Sequence, residues 1–242
     1  MGGEESRIGI ITRPDHEVFG PVAERLRDRG HAVTFIEPGT EVSPDHLDAL
    51  DLLVNKKIRW ESIRALEYAH RNGIATWNGY LPTTIFVNRL SQLAALSAVG
   101  FRTPETHVEP PAGPYVGKAF LDIQNEPSLN ESGDFYQPLL ETDHVDRKCY
   151  AVDDGRTIQT AVVEFRSKLY GDREYLGSGS IARSTEDRIG RLLRFTGARG
   201  LGVDFVDVDG RPYAIDVNPA TSFRRTGLES AIADSIAAAS PR

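Results

Sequence analysis

Asp204, Asp216 and Asn218 form the constellation with the most chemistry in this chain, set in the segment Val203–Asn218 (VDFVDVDGRPYAIDVN). The segment reads as two apolar strands joined by a tight turn at Asp209-Gly210, a dipeptide typical of hairpins. A turn centred near Gly210 sets Asp204 opposite Asp216, and the period of two along a strand puts Asn218 on the side of Asp216. Three hard oxygen ligands then converge among Val203, Phe205, Ile215 and Val217. Carboxylates in such a setting need a cation or a proton, and two carboxylates plus an amide, with positions left for phosphate and water, suit magnesium. The alternative is the solvated face of an ordinary hairpin.

A second candidate is Lys118 in the apolar run Tyr115–Phe120 (YVGKAF), where a lysine on a mostly buried strand needs an anionic partner. A third is Arg224-Arg225, which precede a helix expected over Gly227–Ala239. At a helix N-terminus their charge and the backbone donors would add into an anion site for substrate; otherwise they are solvated arginines. The single cysteine, Cys149, lies in a strand-like run and reads as a buried thiol rather than a nucleophile. Zinc is not suggested, since neither HExxH nor paired CxxC occurs. Asp207-Val208-Asp209-Gly210 has its glycine too early for a calcium loop. No GxSxG elbow is present.

The elements that must position these residues begin with alternating strand and helix signals. Strands are expected at Arg7–Thr12, His31–Ile36, Asp51–Asn55 and Ile74–Trp77, with helices at Glu17–Arg29 and Trp60–Asn72 closed by glycines. This alternation predicts a parallel sheet with covered faces. No GxGxxG follows the first strand, which argues against a Rossmann site. The loop Thr12–His16 either meets a substrate or caps the following helix. One helix is expected over Pro82–Val99, then strands around Lys118 and at Thr157–Arg166, and a helix at Thr185–Thr196 capped by Ser184.

The chain has 242 residues, is 40% hydrophobic and 26% charged, and carries a net charge of −7. This is the balance of a globular protein with a substantial core, and it disfavours a general nucleic-acid surface. No apolar stretch is long enough to span a membrane, and the polar start MGGEESR lacks the core of a signal peptide. A cytoplasmic location is expected.

The hairpin, an acid on one strand and acid-x-Asn on the next, resembles the magnesium-binding hairpin of the ATP-grasp superfamily, most closely its RimK-like, glutamate ligase-like branch. The similarity runs from about Asn78 onward. It implies an α/β (α+β) ATP-grasp fold: an N-terminal parallel-sheet domain over 1–80, then an ATP-grasp domain over 81–242, split into a small nucleotide subdomain (about 104–140) and a metal-binding subdomain (141–242). The stretch Asn88-Arg89-Leu90 … Gly100-Phe101-Arg102-Thr103-Pro104-Glu105 resembles the family's link, "DKL…GIPVPET". Arg89 then stands where the family has a phosphate-contacting lysine, and Lys118 where a lysine meets the α- and β-phosphates. Tyr136–Leu140 (YQPLL) resembles the adenine-reading hinge "QEFI", which assigns Gln137, Leu139 and Leu140 to the nucleotide; Pro138 replaces an acid and removes a backbone donor. Asp146 falls at the ribose-binding carboxylate and Lys148 at a following basic residue; the alternative for both is a surface charge cluster. Arg166 falls at a catalytic arginine facing substrate or phosphate.

Two features depart from the family. Its glycine-rich phosphate loop is replaced by the short, acidic FLDIQNEPSLNESGDFY, with Gly177-Ser178-Gly179-Ser180 a candidate substitute, and the second arginine, Arg-x-Asn, of the peptide-ligating branch is missing. The resemblance implies an ATP-dependent carboxylate–amine ligase acting through an acylphosphate. ATP and one or two Mg²⁺ ions are the cofactors, and a small-molecule or peptide carboxylate and an amine acceptor are the partners; a homodimer is compatible with it. The alternatives are a non-catalytic nucleotide- or anion-binding homologue and a small-molecule kinase on the same fold.

Overall fold

The computed structural model describes residues 5–123, 126–167, 169, 172 and 174–241. The first four residues of the polar start, and Gln124 and Asn125 of the shortened loop, lie outside them.

The alternating apolar runs of the first third form a parallel sheet in the order β2-β1-β3-β4, from β1 (Arg7–Ile11), β2 (Ala32–Ile36), β3 (Leu52–Asn55) and β4 (Ala75–Trp77). Buried on both faces, such strands read as continuous hydrophobic runs. One face packs on α3 (Trp60–Arg71) and the short α2 (Pro44–Asp48), through Leu53, Ala65, Leu66 and Leu47. The other packs on α1 (Phe19–Arg27) and on the last helix, α7 (Glu229–Ala239). Ile232 and Ile236 of α7 share this core with Ile8, Ile10, Leu26 and Trp77, and also with Tyr150 and Val152 of the next sheet. The end of the chain therefore completes the core of its beginning, across the boundary expected at residue 80. Asn78 fixes the junction: its amide donates to Gly200 O and to Pro219 O (2.7 Å) and accepts from Arg199 N (2.6 Å) and Gly200 N (3.1 Å).

The second sheet is antiparallel, in the order β10-β9-β8-β11-β12, from β8 (Val145–Asp153), β9 (Ile158–Arg166), β10 (Tyr175–Gly179), β11 (Gly200–Val208) and β12 (Arg211–Asn218). Its strands alternate between two environments. Cys149, Ala151, Leu201, Val203 and Phe205 face α6 (Arg183–Thr196), meeting Ile189, Leu192 and Leu193 in a continuous core. Residues of opposite parity face the α7 core at one end of the sheet and the candidate site at the other. A small antiparallel sheet, β6-β5-β7, from β5 (Tyr115–Lys118), β6 (Ser128–Leu129) and β7 (Phe135–Pro138), lies over that end.

The helix expected over Pro82–Val99 is two helices, α4 (Tyr80–Val87) and α5 (Arg89–Ala98). Asn88 breaks them: its backbone is extended (φ −83°, ψ 110°), its Oδ1 caps α5 by accepting from Ser91 N at 2.9 Å, and it bridges Leu121. The helix at 185–196 begins earlier, after Ala182 rather than a Ser184 cap. The last helix starts at Glu229, two residues beyond Gly227, whose φ of 68° ends the preceding loop.

Candidate functional site

The hairpin β11–β12 turns at Asp209-Gly210 with φ of 52° and 73°, both in the left-handed region that a type I′ turn requires. From this turn Val208 pairs with Arg211 and Phe205 with Ala214; a continuing register would set Asp204 against Ile215. A bulge at Ile215 shifts the pairing instead, so Asp204 opposes Asp216 and Gly202 opposes Asn218. The expected pairing is present, and the bulge produces it. The bulge also releases the Ile215 carbonyl, which accepts from Lys118 Nζ at 3.1 Å.

Across the sheet, Lys148 on β8 pairs with Asp204, making a row Lys148–Asp204–Asp216 on one face. Lys148 Nζ lies 3.0 Å from Asp204 Oδ1 and donates to Oδ2 at 3.2 Å. Burial lowers the Lys148 pKa, but the charges of Asp204, Tyr150 and Asp216 outweigh it and hold the ammonium above its ordinary range. The next row is Tyr150–Gly202–Asn218. Gly202 is bare for a reason: a Cβ there would stand 2.7 Å from Lys148 Cε and 2.9 Å from Thr221 Oγ1.

Sequence reasoning missed Gln92 of α5. Fully buried, it donates from Nε2 to Asp216 Oδ1 (2.9 Å) and accepts at Oε1 from Val217 N (2.8 Å). It thereby locks one carboxylate oxygen and leaves the other available. The helical pattern marked Gln92 only as a polar position, because its partner lies far along the chain.

Asp204, Asp216 and Asn218 open into a cavity of about 370 Å³ between the hairpin and the small sheet. Arg89, Lys118, Gln137, Leu139, Leu140, Asp146 and Lys148 line it too. The fold thus gathers every residue assigned to nucleotide and metal. Lys118 is buried, and desolvation lowers its pKa to about 8 despite the opposing charge of Asp216. Arg89 is buried as well; its Nη2 pairs with Asp122 Oδ1 at 2.6 Å and its Nη1 donates to Ala119 O at 3.1 Å. The Asp122 carboxyl is held above its usual range by burial and by Asp216, against Arg89. The acidic segment that replaces the glycine-rich loop is thus tied down by Arg89 and by Asp134, which accepts from Phe120 N (2.9 Å).

At the apolar end of the cavity, Leu139 N donates to Pro114 O (2.9 Å), so its backbone donor is used within the protein. Gln137, buried, lines this cavity, and its Nε2 has no hydrogen-bond partner among the described residues.

Three assigned arginines lie elsewhere. Arg166 ends β9, half-exposed and paired with Glu174 (2.9 Å), outside the cavity that its neighbour Ser167 lines. Arg224 pairs with Glu17 (3.2 Å), and Arg225 stacks on the Tyr175 ring at 4.1 Å. Both precede α7 by several residues and do not form an anion site at its N-terminus. Gly177-Ser178-Gly179-Ser180 is no phosphate loop either: Gly177–Gly179 belong to edge strand β10, and a Cβ on Gly179 would stand 2.8 Å from the Glu164 side chain. Cys149 is fully buried with its thiol pushed up to about 12 by desolvation, as an inert core residue requires. In the Thr12–His16 loop the capping role is realised, His16 Nδ1 accepting from Val18 N (3.1 Å) and Phe19 N (3.2 Å).

The triad fits magnesium by its donor chemistry. Among the described residues no group of three His, Cys, Asp or Glu is placed to hold a metal. Two carboxylates and an amide therefore form an incomplete shell, which a hard cation completes with phosphate oxygens and water. Lys148 and Gln92 orient the two carboxylates. No helix among the described residues is long and apolar enough to cross a membrane.

No protein-family model and no curated protein sequence matches this chain. Solved structures do. A RimK domain ATP-grasp protein from Sphaerobacter thermophilus superposes with a TM-score of 0.75 at 16% identity, covering 98% of this chain and 100% of that one. The ATP-grasp ligase PsnB, complexed with a phosphomimetic variant of its minimal precursor, Mg and ADP, gives 0.67 at 16% identity over 96% and 98%. D-alanine–D-alanine ligase from Bacillus anthracis, complexed with ATP, gives 0.69 at 12% identity over 96% of both chains. Superposed over nearly the whole of these proteins, the chain has the ATP-grasp fold.

Proposed function

We propose that this protein is an ATP- and magnesium-dependent carboxylate–amine ligase. The observation that carries this reading is the convergence on one cavity of the Asp204–Asp216–Asn218 triad, the buried cations Lys118, Lys148 and Arg89, and an apolar end with the uncompensated Gln137 amide. Three cations face five carboxylates along the cavity wall. Such a site repels a bare polyphosphate and accepts one only with divalent ions, so nucleotide binding is steeply magnesium-dependent.

Asp204, Asp216 and Asn218 would hold magnesium, which supplies charge neutralisation between phosphates. Lys118 and Arg89 offset the phosphate charge, Lys148 keeps Asp204 oriented, and Asp146 meets the ribose. The Gln137 amide and the carbonyls of Leu139 and Leu140 read the base. A substrate carboxylate oxygen bonds to the γ-phosphorus as the bond to the β–γ bridging oxygen breaks, giving an acylphosphate and ADP. An amine then attacks the acyl carbon, phosphate leaves, and the amine proton passes to water. Positioning and charge neutralisation carry most of such catalysis. ATP-grasp structures complexed with a precursor peptide or with a leader and core peptide support a peptide as one class of partner.

The alternative, a nucleotide-binding homologue without catalysis, is favoured by one observation: Arg166, Arg224 and Arg225 are all engaged outside the cavity. The test is ADP release from ATP and Mg²⁺ in a screen of carboxylates with and without amines. Turnover that requires both substrates supports the ligase. Turnover on the acid alone marks a kinase, and binding without turnover marks the homologue.

A further inference from the structure

A second cavity, of about 360 Å³, adjoins the first and shares Asp122, Lys148 and Asn218 with it. Three lysines, Lys56, Lys57 and Lys148, face one carboxylate, Asp122, along its wall, and Tyr150, Thr221 and Ser222 add hydroxyls. The sign of its charge is opposite to that of the nucleotide cavity.

Lys56 is the unusual member. It is 5% exposed, and its Nζ donates to Ala220 O at 2.8 Å across 164 residues of sequence. The charged groups that act on it are Lys57, Arg224 and Lys148, all cations. A buried ammonium with a carbonyl and three cations around it lacks a counter-charge. Desolvation followed by that repulsion lowers its pKa to about 7.

The topology places this lysine where an open α/β sheet binds ligands. The order β2-β1-β3-β4 reverses direction between β1 and β3. Ligands of such sheets sit beyond the carboxyl ends of the strands at that switch point. Lys56 and Lys57 directly follow β3, and the His16 loop follows β1.

We infer that the cavity at the β1/β3 switch point is a binding site for a carboxylate substrate, with Lys56 as its buried counter-ion and Lys57 at its mouth. The inference rests on the ligase reading and specifies it. The acid substrate is held by its carboxylate against Lys56, on the far side of the Lys148–Asn218 wall from the nucleotide, with the two cavities meeting at Asn218 of the metal triad.

The test is calorimetry with succinate and glutamate as probes at pH 6.5, in the presence of Mg-ADP, on the native chain, Lys56→Met and Lys57→Met. The native chain is expected to bind at least one probe, Lys56→Met at least tenfold more weakly, and Lys57→Met about threefold more weakly, each with Mg-ADP affinity within twofold of native. Lys57 is exposed, so its variant keeps the test decisive if burial makes Lys56→Met unstable in a thermal melt. Unchanged probe affinity in both variants, or no probe binding by a native chain that binds Mg-ADP, overturns the carboxylate site. Failure of the native chain to bind Mg-ADP overturns the nucleotide reading beneath it and is seen separately.

Discussion

The two adjoining cavities differ in charge, in construction and in how each is encoded. The larger is dominated by carboxylates and is built from the hairpin and the small sheet; under the ligase proposal it takes polyphosphate only with metal. The smaller is dominated by lysines and is built by the parallel sheet meeting the loop after β12; under the carboxylate-site proposal it takes an anion directly. Lys148, Asp122 and Asn218 stand in both walls. One ammonium, one amide and one carboxylate, the last paired with Arg89, thus lie between the proposed site for metal-bound phosphate and the proposed site for an acid. That is the arrangement needed to bring a carboxylate to a phosphorus.

Substitutions separate the two. The largest effect is expected from Gly202→Val, because side-chain atoms there collide with Lys148 and Thr221 on both sides of the shared wall. Mg-ADP and succinate binding should both fall by on the order of 100-fold, or the protein should lose stability by about 2–3 kcal/mol, as calorimetry and melting would show. An unaffected variant would mean that the wall is not where the two ligands meet.

Gln92→Ala removes the donor that orients Asp216 and leaves the lysine cavity untouched. Mg-ADP affinity should fall about 10–100-fold while succinate affinity stays within about twofold. Equal losses for both ligands would make the two cavities a single site.

A smaller effect distinguishes them by pH. Lys56, at about 7, loses its charge as pH rises through neutrality. Lys57, Arg224 and Lys148 act on it, Asp122 lines the same cavity, and neighbouring His16, lowered to about 4 first by burial and then by Lys56, Arg224 and Lys57, stays neutral above pH 5. Succinate binding should therefore weaken several-fold from pH 6 to pH 8.5. His16 also has a stability signature. Its folded pKa lies below the ordinary 6.5, so the unfolded chain takes up the proton first, and stability is lost as pH falls from about 6.5 toward 4. For this half-buried group, solvent screening reduces the effect to about 1–2 kcal/mol. His16→Asn, which keeps an acceptor for Val18 N, should flatten that part of the melting-temperature profile.

The smallest effect belongs to Arg166. It pairs with Glu174 at the rim, so Arg166→Ala should change Mg-ADP affinity by no more than about twofold. A tenfold loss would restore the phosphate-facing role that the family resemblance gave it.

The uneven legibility of the molecule follows the same division. The hairpin could be read locally, since a type I′ turn and strict alternation are properties of neighbouring residues. Even there the pairing of Asp204 with Asp216 depends on a bulge at Ile215 that alternation does not reveal. Lys118 could be read because a lysine among apolar strand residues signals burial. Asn88 was a legible signal left unread: an asparagine with a backbone donor three residues on is a helix cap, and it divides what hydrophobic periodicity joins. Lys56 and Gln92 were not legible. A Lys-Lys pair after a strand looks like solvated charge, and only the Ala220 loop buries it. Gln92 gains its meaning from a strand more than a hundred residues away. The arginines after Asn218 misled for a similar reason, because Glu17 and the Tyr175 ring, which engage them, come from other elements.

The most direct test of the central claim is calorimetric titration of ATP, with and without Mg²⁺, into the native chain and into Asp216→Ala. The ligase reading predicts binding that requires magnesium in the native chain and is lost in the variant, with the melting temperature of the variant close to native. Binding of ATP without magnesium, equal binding by Asp216→Ala, or no binding at millimolar nucleotide would contradict it.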